Sequence, residues 1–413
     1  MRSRCPRLAI VALFLLGAPR LAAQGGGEAR PVAGRPTLRD VVTYAVRSNP
    51  DLTLARLRVD SAHGEQRIAR GLPNPTFTVI PGNPFEYSAG ENLDVGPERW
   101  YRTSAADRGA AASRFDVGDV ERQVVFNVRQ GYYDLLLAEA LRGIAAEQAD
   151  VVHQLLLADS ARYREGDLPR KDVAASELAS AHAYAALARS DAAARAARMT
   201  LQVLMGVPRP DTAFRVDGQL TYEPITLPVD SLRALALAQR PDIAATKTRV
   251  DQSRALKSLA TSNLIPVPGL AAVYQPSQPF ANGSRYALGL SFTVPVFYWF
   301  GGERERAEAG LKSANLALRT TEIQVASDVT VASDNFRAAK ALAERYAAGL
   351  LDRASESVEL QRFAYDQGNA SLTDLLNAIT ALAETRTDYY TALHDYWVSA
   401  YAIDRAVGRE ITP

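Results

Sequence analysis

The chain is 413 residues long, 47% apolar and 23% charged, with a formal net charge of +1. This composition folds instead of staying disordered, and the balanced charge argues against nucleic acid as the main partner, because phosphate-binding surfaces concentrate Lys and Arg. A single cysteine, Cys5, leaves no disulfide framework and no thiolate metal site.

At the N-terminus, Arg2, Arg4 and Arg7 precede an apolar stretch from Leu8 to Leu16, then Gly17, Pro19 and small residues around Leu21-Ala22-Ala23-Gln24. This pattern predicts a secretory signal peptide over residues 1–24. Its apolar core is too short for a membrane-spanning helix, and no later apolar run reaches the roughly 18 residues that one needs. An exported protein of this kind can enter a membrane only with strands.

The first half, residues 25–206, opens with a helix after Thr37, a possible cap, and restarts at Asn49-Pro50-Asp51-Leu52. Leu72 to Ile80 reads as a strand leading through Pro81, Gly82 and Pro84 toward Tyr87, with Asn92 to Val95 continuing as a returning strand. From Arg99 to Arg164 there is no proline, and the stretch is rich in Ala, Leu, Arg and Glu, which predicts one long helix. Such a helix is a rod of about 100 Å. It breaks at Glu165-Gly166-Asp167-Leu168-Pro169 and returns as helix to Gly206, and a proline-rich linker over 207–230 follows.

The second half, residues 231–408, repeats this order before a short tail at 409–413. Arg240-Pro241-Asp242-Ile243 stands where Asn49-Pro50-Asp51-Leu52 stood, after Ser231 in place of Thr37. Gly269 to Tyr274 and Arg285 to Val294 read as strands. In the latter, Leu288, Leu290, Phe292 and Val294 alternate with Ala287, Gly289, Ser291 and Thr293, the period of a barrel wall with one lipid face. Aromatic clusters at Trp100-Tyr101 and Phe297-Tyr298-Trp299-Phe300 suit an interfacial belt. A second rod is expected from Glu303 to Asp366, with Leu311, Leu318, Val325 and then Val329, Phe336, Ala343, Leu350 at coiled-coil sevens. Its tip is Gln367-Gly368-Asn369-Ala370-Ser371, and the return helix ends at Gly408.

The two halves keep register. Tyr163, Gly166, Asp172 and Gly206 recur as Tyr365, Gly368, Asp374 and Gly408, every one displaced by 202 residues. A slip of even one residue would turn the side chains onto another helix face, so the offset marks duplication of a long helical hairpin. The predicted fold class is mainly α with a small β part. Four strands cannot close a barrel and an open edge is not tolerated in lipid, so the chain must oligomerise. Three copies give a 12-stranded transmembrane β-barrel and an α-barrel of long coiled-coil hairpins.

Catalytic chemistry is not visible. His63, His153, His182 and His394 lie far apart without metal-ligand spacing, and there is no phosphate loop, zinc-hydrolase helix or nucleophile elbow. The reading is a non-enzymatic conduit with no cofactor and no metal site, since tight binding would impede exit.

Taken together, Asn49-Pro50-Asp51-Leu52, Tyr132-Tyr133-Asp134-Leu135-Leu136, Tyr163 to Leu168 and Ala364 to Leu376 resemble the TolC-like outer-membrane efflux proteins, nearest the heavy-metal export branch of CzcC and CusC. The resemblance implies a homotrimer in the Gram-negative outer membrane, with the helical barrel in the periplasm. It further implies cargo received from an inner-membrane pump of the resistance-nodulation-division (RND) type through a periplasmic membrane-fusion adaptor. On this resemblance Gly166, Asp167, Leu168, Gly368, Asn369, Ala370 and Ser371 form the adaptor-docking tips. Tyr365 and Asp172 form a latch, and Asp374 and Asn377 line the aperture. Asn377 stands where the family often has a second aspartate, which weakens cation attraction there, and Ala370 replaces a tip arginine, leaving Arg170 or Lys171 to supply that charge. Heavy-metal cations are the expected cargo. The alternatives are the same duct for drug efflux or type I protein secretion, or a periplasmic coiled-coil adaptor or structural protein.

Overall fold

The computed structural model describes residues 34–226, 231–292 and 294–412. The signal peptide read over 1–24 and the end of the linker, 227–230, lie outside them. Helix α1 (Leu38–Ser48) starts on a capping box in which Thr37 and Asp40 satisfy each other's backbone N–H groups. Helix α2 (Pro50–Arg70) starts on Pro50, with the Asn49 carboxamide oxygen accepting from Asp51 N at 2.8 Å. Strands β1 (Thr76–Ile80) and β2 (Glu86–Asn92) follow, then the 69-residue α3 (Pro97–Glu165) and its return α4 (Arg170–Met205). The second half repeats the order with α5 (Leu232–Gln239), α6 (Pro241–Ser262), β3 (Pro268–Tyr274), β4 (Tyr286–Phe292), α7 (Gly301–Ala347), α8 (Leu350–Asp366) and α9 (Leu372–Val407). The halves mark a repeat in sequence and not two separate bodies, because α3 packs against α4, α6 and α9 alike.

Repeated residues make repeated contacts. Gly206 and Gly408 end α4 and α9 in the left-handed region, at φ 78° and 83°. Each lies against the corner between the two front helices of its half: a Cβ on Gly206 would meet the Ser48 carbonyl oxygen at 2.5 Å, and one on Gly408 would meet Arg240 Cα at 3.1 Å. The corner residue then reaches back to the end of the return helix. Asn49 Nδ2 donates to Leu204 O at 2.8 Å, and Arg240 Nη1 donates to Ala406 O at 3.1 Å. Leu204 and Ala406 are themselves 202 residues apart, so different side chains satisfy the same orphan carbonyl of a helix end.

Two expectations are corrected. The returning strand of the first half begins at Glu86 and not at Asn92. The second rod is not continuous either: α7 stops at Ala347, and Gly349, at φ 93°, separates it from α8. Val325, Val329, Phe336 and Ala343 are buried on the predicted sevens, but Leu350, just beyond the break, is exposed.

The strands form one antiparallel sheet in the order β1-β2-β3-β4. Its register sorts the side chains into two unlike faces. Phe77 pairs with Ala89, Ala89 with Ala272 and Ala272 with Leu288; Val79, Tyr87, Tyr274 and Tyr286 form the next row on that face. The opposite face carries Thr76, Gly90, Ala271 and Gly289 in one row and Thr78, Ser88, Val273 and Ala287 in another. One face is thus mostly large and apolar, with Glu91 beside Leu270 as its charged exception, and the other mostly small or polar, with Ile80 and Val273 as its apolar exceptions. Among the described residues nothing covers the apolar face, and Leu288 is 82% exposed. Tyr274 stacks on both Tyr87 and Tyr286 at the hairpin end, while Trp100, Phe297 and Trp299 stand exposed at the helix end.

Aromatic side chains with polar ends bind the linker to the helices. Trp397 Nε1 donates to Thr221 O at 2.9 Å, and the Tyr396 hydroxyl donates to Glu223 O at 2.7 Å while accepting from Ile225 N at 2.9 Å. Tyr132 donates to Asp217 O, and Tyr133 stacks on Trp397 at a centroid distance of 5.7 Å. The rings of Trp397, Tyr396 and Tyr132 contribute apolar area while their polar atoms satisfy linker carbonyls.

Candidate functional site

Both hairpins turn by the same backbone device. Gly166 N donates to Tyr163 O at 3.1 Å and Asp167 N to Arg162 O at 2.9 Å; in the other tip Gly368 N donates to Tyr365 O at 3.0 Å and Asn369 N to Ala364 O at 2.8 Å. Glycine is required because the turn holds it at positive φ, 87° and 71°. Gly166, Asp167, Gly368, Asn369 and Ser371 are exposed at the tips, whereas Leu168 and Ala370 are half-buried.

Equivalent tyrosines have unlike surroundings. Tyr163 is 40% exposed, with the Arg170 guanidinium 5.9 Å from its ring centroid; Tyr365 is 6% exposed. The Tyr365 ring packs in a cluster with Ala149, Val152, Ala183, Leu372, Leu375 and Ile379, which joins the two hairpins. Arg162 lies 5.4 Å above that ring.

The expected latch partner of Tyr365 was Asp172. Within the chain the phenol donates instead to Asp159 Oδ1, at 2.7 Å, and Asp159 Oδ2 accepts from the Ser176 hydroxyl. Asp159 is 0% exposed. Burial first, and then the hydrogen bond to Asp159, push the Tyr365 phenol well above its ordinary pKa, so it stays protonated and donating. Asp172 is half-buried in the first turn of α4, and its charge also raises the Tyr365 pKa.

Asp374 has a local role that sequence reasoning missed. It is the third residue of α9, and its carboxylate accepts from Ser371 N at 3.1 Å and Ser371 Oγ at 2.7 Å, completing a capping box. Those bonds hold it below the usual carboxylate range, so the exposed group stays ionised. Asn377 is exposed one turn further along.

Asp159 and Ser176 carried a readable signal. Ala145, Val152 and Asp159 stand at sevens on the buried seam of α3, so an ionisable residue occupies a core position. Val173, Ser176, Ser180 and Ala183 form the facing seam of α4.

Residues 232–409 match the family model described as outer membrane efflux protein. The match falls on the second half, whose elements the first half repeats. The second half therefore carries the outer membrane efflux protein pattern from α5 to the end of α9. Similarity to known relatives extends along both halves. The cobalt-zinc-cadmium resistance protein CzcC of Cupriavidus metallidurans is 24% identical over 92% of both chains. The outer membrane efflux protein BepC of Brucella suis is 25% identical over 90% of this chain and 85% of its own. Among solved structures, the CmeC outer membrane channel of Campylobacter jejuni superimposes with a TM-score of 0.79 at 17% identity, over 90% of this chain and 85% of that one. The chain thus has the fold of the solved outer membrane channels along most of its length.

Proposed function

We propose that three copies of the chain close into a passive duct that carries heavy-metal cations out of the cell, fed by a periplasmic adaptor and an inner-membrane RND pump. The observation that carries the duct is the sheet: among the described residues, an apolar face without cover, an opposite face of mostly small and polar residues, and two unpaired edges, β1 and β4. Unpaired backbone groups cost several kcal/mol each in lipid. Pairing β4 of one copy with β1 of the next removes both edges, and three copies make twelve strands. Exposed apolar positions along the helices, such as Leu54 and Leu57 on α2 and Leu316 and Ile323 on α7, then meet neighbouring copies.

Cargo is inferred from similarity to CzcC, whose name refers to cobalt, zinc and cadmium. At the tips, Asp374 from three copies forms an acidic ring that attracts cations, and the Tyr365 region holds the entrance closed. The tip residues Gly166, Asp167 and half-buried Leu168, with Gly368, Asn369, half-buried Ala370 and Ser371, are the surface offered to the adaptor.

Fractionation, planar-bilayer recording and a growth panel test this reading. The expected results are a heat-sensitive trimer in the outer-membrane fraction, discrete pores, and loss of tolerance to Zn, Co or Cd on deletion of the gene. A soluble periplasmic monomer would overturn the duct; sensitivity to drugs alone would reassign the cargo.

A further inference from the structure

We propose that Glu86 and Arg285 form two staggered rings of opposite charge at the outer mouth of the duct, and that Arg285 largely cancels the cation attraction Glu86 would exert there. The inference rests on the duct reading and names the residues that set ion selectivity at its exit. Three observations lead to it.

First, charge is nearly absent from the two strand hairpins. Over residues 72–93 and 264–300 the charged side chains are Glu86, Glu91 and Arg285. Glu91 pairs with Leu270 on the apolar face, toward the helix end of the sheet. One acid and one base remain at the hairpin end.

Second, the register puts those two in one row. Ile80 pairs with Glu86, and the neighbouring pair of Tyr87 with Tyr274 sets Gln275 opposite Glu86. Gln275 Nε2 donates to Glu86 Oε2 at 3.2 Å, and Gln275 N donates to Arg285 O at 3.0 Å. Glu86, Gln275 and Arg285 each lie two residues from Ser88, Val273 and Ala287, so they share the small, polar face that lines the proposed duct. Among the described residues the exposed Arg285 guanidinium has no acceptor.

Third, strand order fixes how the charges repeat. Glu86 starts β2 and Arg285 immediately precedes β4, alternate strands of the order β1-β2-β3-β4. When β4 of one copy pairs with β1 of the next, the two signs alternate around the mouth, with the pair in one chain about 10 Å apart. A strand tilt of about 40° staggers the acidic and basic sets by roughly 6 Å along the axis and gives twelve strands a backbone radius of roughly 12 Å. The side chains then bring their charges to about 8 Å from the axis, close to the Debye length of about 10 Å at 0.1 M salt. Three like charges at that radius change the on-axis concentration of a monovalent ion about threefold. The acidic and basic sets act in opposite directions, so a cation that reaches the exit is neither held nor turned back.

Reversal potentials of the full-length protein in planar bilayers, in a KCl gradient centred near about 0.1 M, test this. Glu86→Gln should lower the cation-over-anion permeability ratio about threefold, and Arg285→Gln should raise it about threefold. The double variant should return to within about 1.5-fold of the unaltered channel, and Arg285→Lys should keep the unaltered ratio. Near about 1 M salt every shift should shrink toward none. Each single variant is decisive by itself, so failure of one to insert leaves the other to judge. Unaltered reversal potentials in a single variant that forms pores would overturn the rings and leave the duct standing. Shifts in the same direction in both single variants would overturn the cancellation, and absence of pores from the unaltered protein would overturn the duct itself.

Discussion

Gly206 meets two demands at once, a positive φ of 78° and a Ser48 carbonyl oxygen where a Cβ would lie 2.5 Å away; Gly166 meets only the first, having open space around it. Alanine at 166 should cost about 1 kcal/mol from left-handed backbone strain, and alanine at 206 roughly 2–4 kcal/mol once the backbone contact is added. Urea titration of the helical circular dichroism signal measures both, and equal midpoints would refute the distinction. The repeat spacing made both glycines legible in the sequence, because a positive-φ cap has one favoured residue type. Asp159 was not legible in the same way. Its counterpart in the other half is Gln361, so the repeat does not mark it, and only its place on the buried sevens of α3 does. Asp374 carries a further consequence: since it caps α9, Asp374→Ala removes a cap worth about 1 kcal/mol along with the charge. Asn377→Asp is the cleaner probe of the proposed aperture, because it adds a second acidic ring without touching the cap. Cation over anion permeability in the reconstituted channel should rise severalfold, and an unchanged reversal potential would remove these positions from the constriction.

Helix α3 was legible along its length because no proline follows Pro97 at its start and its small residues fit against neighbours: Gly131 faces Leu204 and Leu201 of α4, where a Cβ would crowd them. The break at Gly349 was hidden, since one glycine in an alanine-rich pattern lowers helix stability by only about 1 kcal/mol and does not announce a stop. The seam between α3 and α9 has its own titratable tie. His394 Nε2 lies 2.7 Å from Asp134 of α3 and Nδ1 lies 2.9 Å from Asp395. Burial opposes the charged imidazole, but the hydrogen bonds to both carboxylates outweigh it and raise the pKa above the ordinary histidine value. A raised folded-state pKa gives stability that is complete below the unfolded value and is lost as pH rises through the folded one. His394→Gln should therefore lower the thermal midpoint near pH 5.5 and change it little near pH 9. A deficit of the same size at both pH values would show that the imidazole only fills space.

For the whole molecule, the register of the sheet decides which substitutions the assembly tolerates. The alternation in β4 was readable from Leu288, Leu290 and Phe292, and the stretch Leu72 to Ile80 that holds β1 read as a strand, but β2 was not readable, because Glu86, Ser88, Gly90 and Asn92 are polar or small and their partner rows emerge only from the pairing with β3. Leu288 and Ser88 stand on opposite faces, and that difference is the strongest test of the proposed barrel. Lysine at 288 would put a charge against lipid near the middle of the apolar stripe, a cost of about 2–4 kcal/mol per chain. Three copies repeat it, so the closed barrel should assemble poorly and the heat-sensitive trimer band should fade. Lysine at 88 faces the interior, where water reaches it; the trimer should persist, but three added positive charges should reduce cation conductance through the outer end, more strongly at low salt than at high. If the effects exchange, with 288 tolerated and 88 blocking assembly, the apolar face points inward and the three-copy closure is wrong. If both assemble and conduct like the unaltered protein, the strands do not line a membrane pore at all.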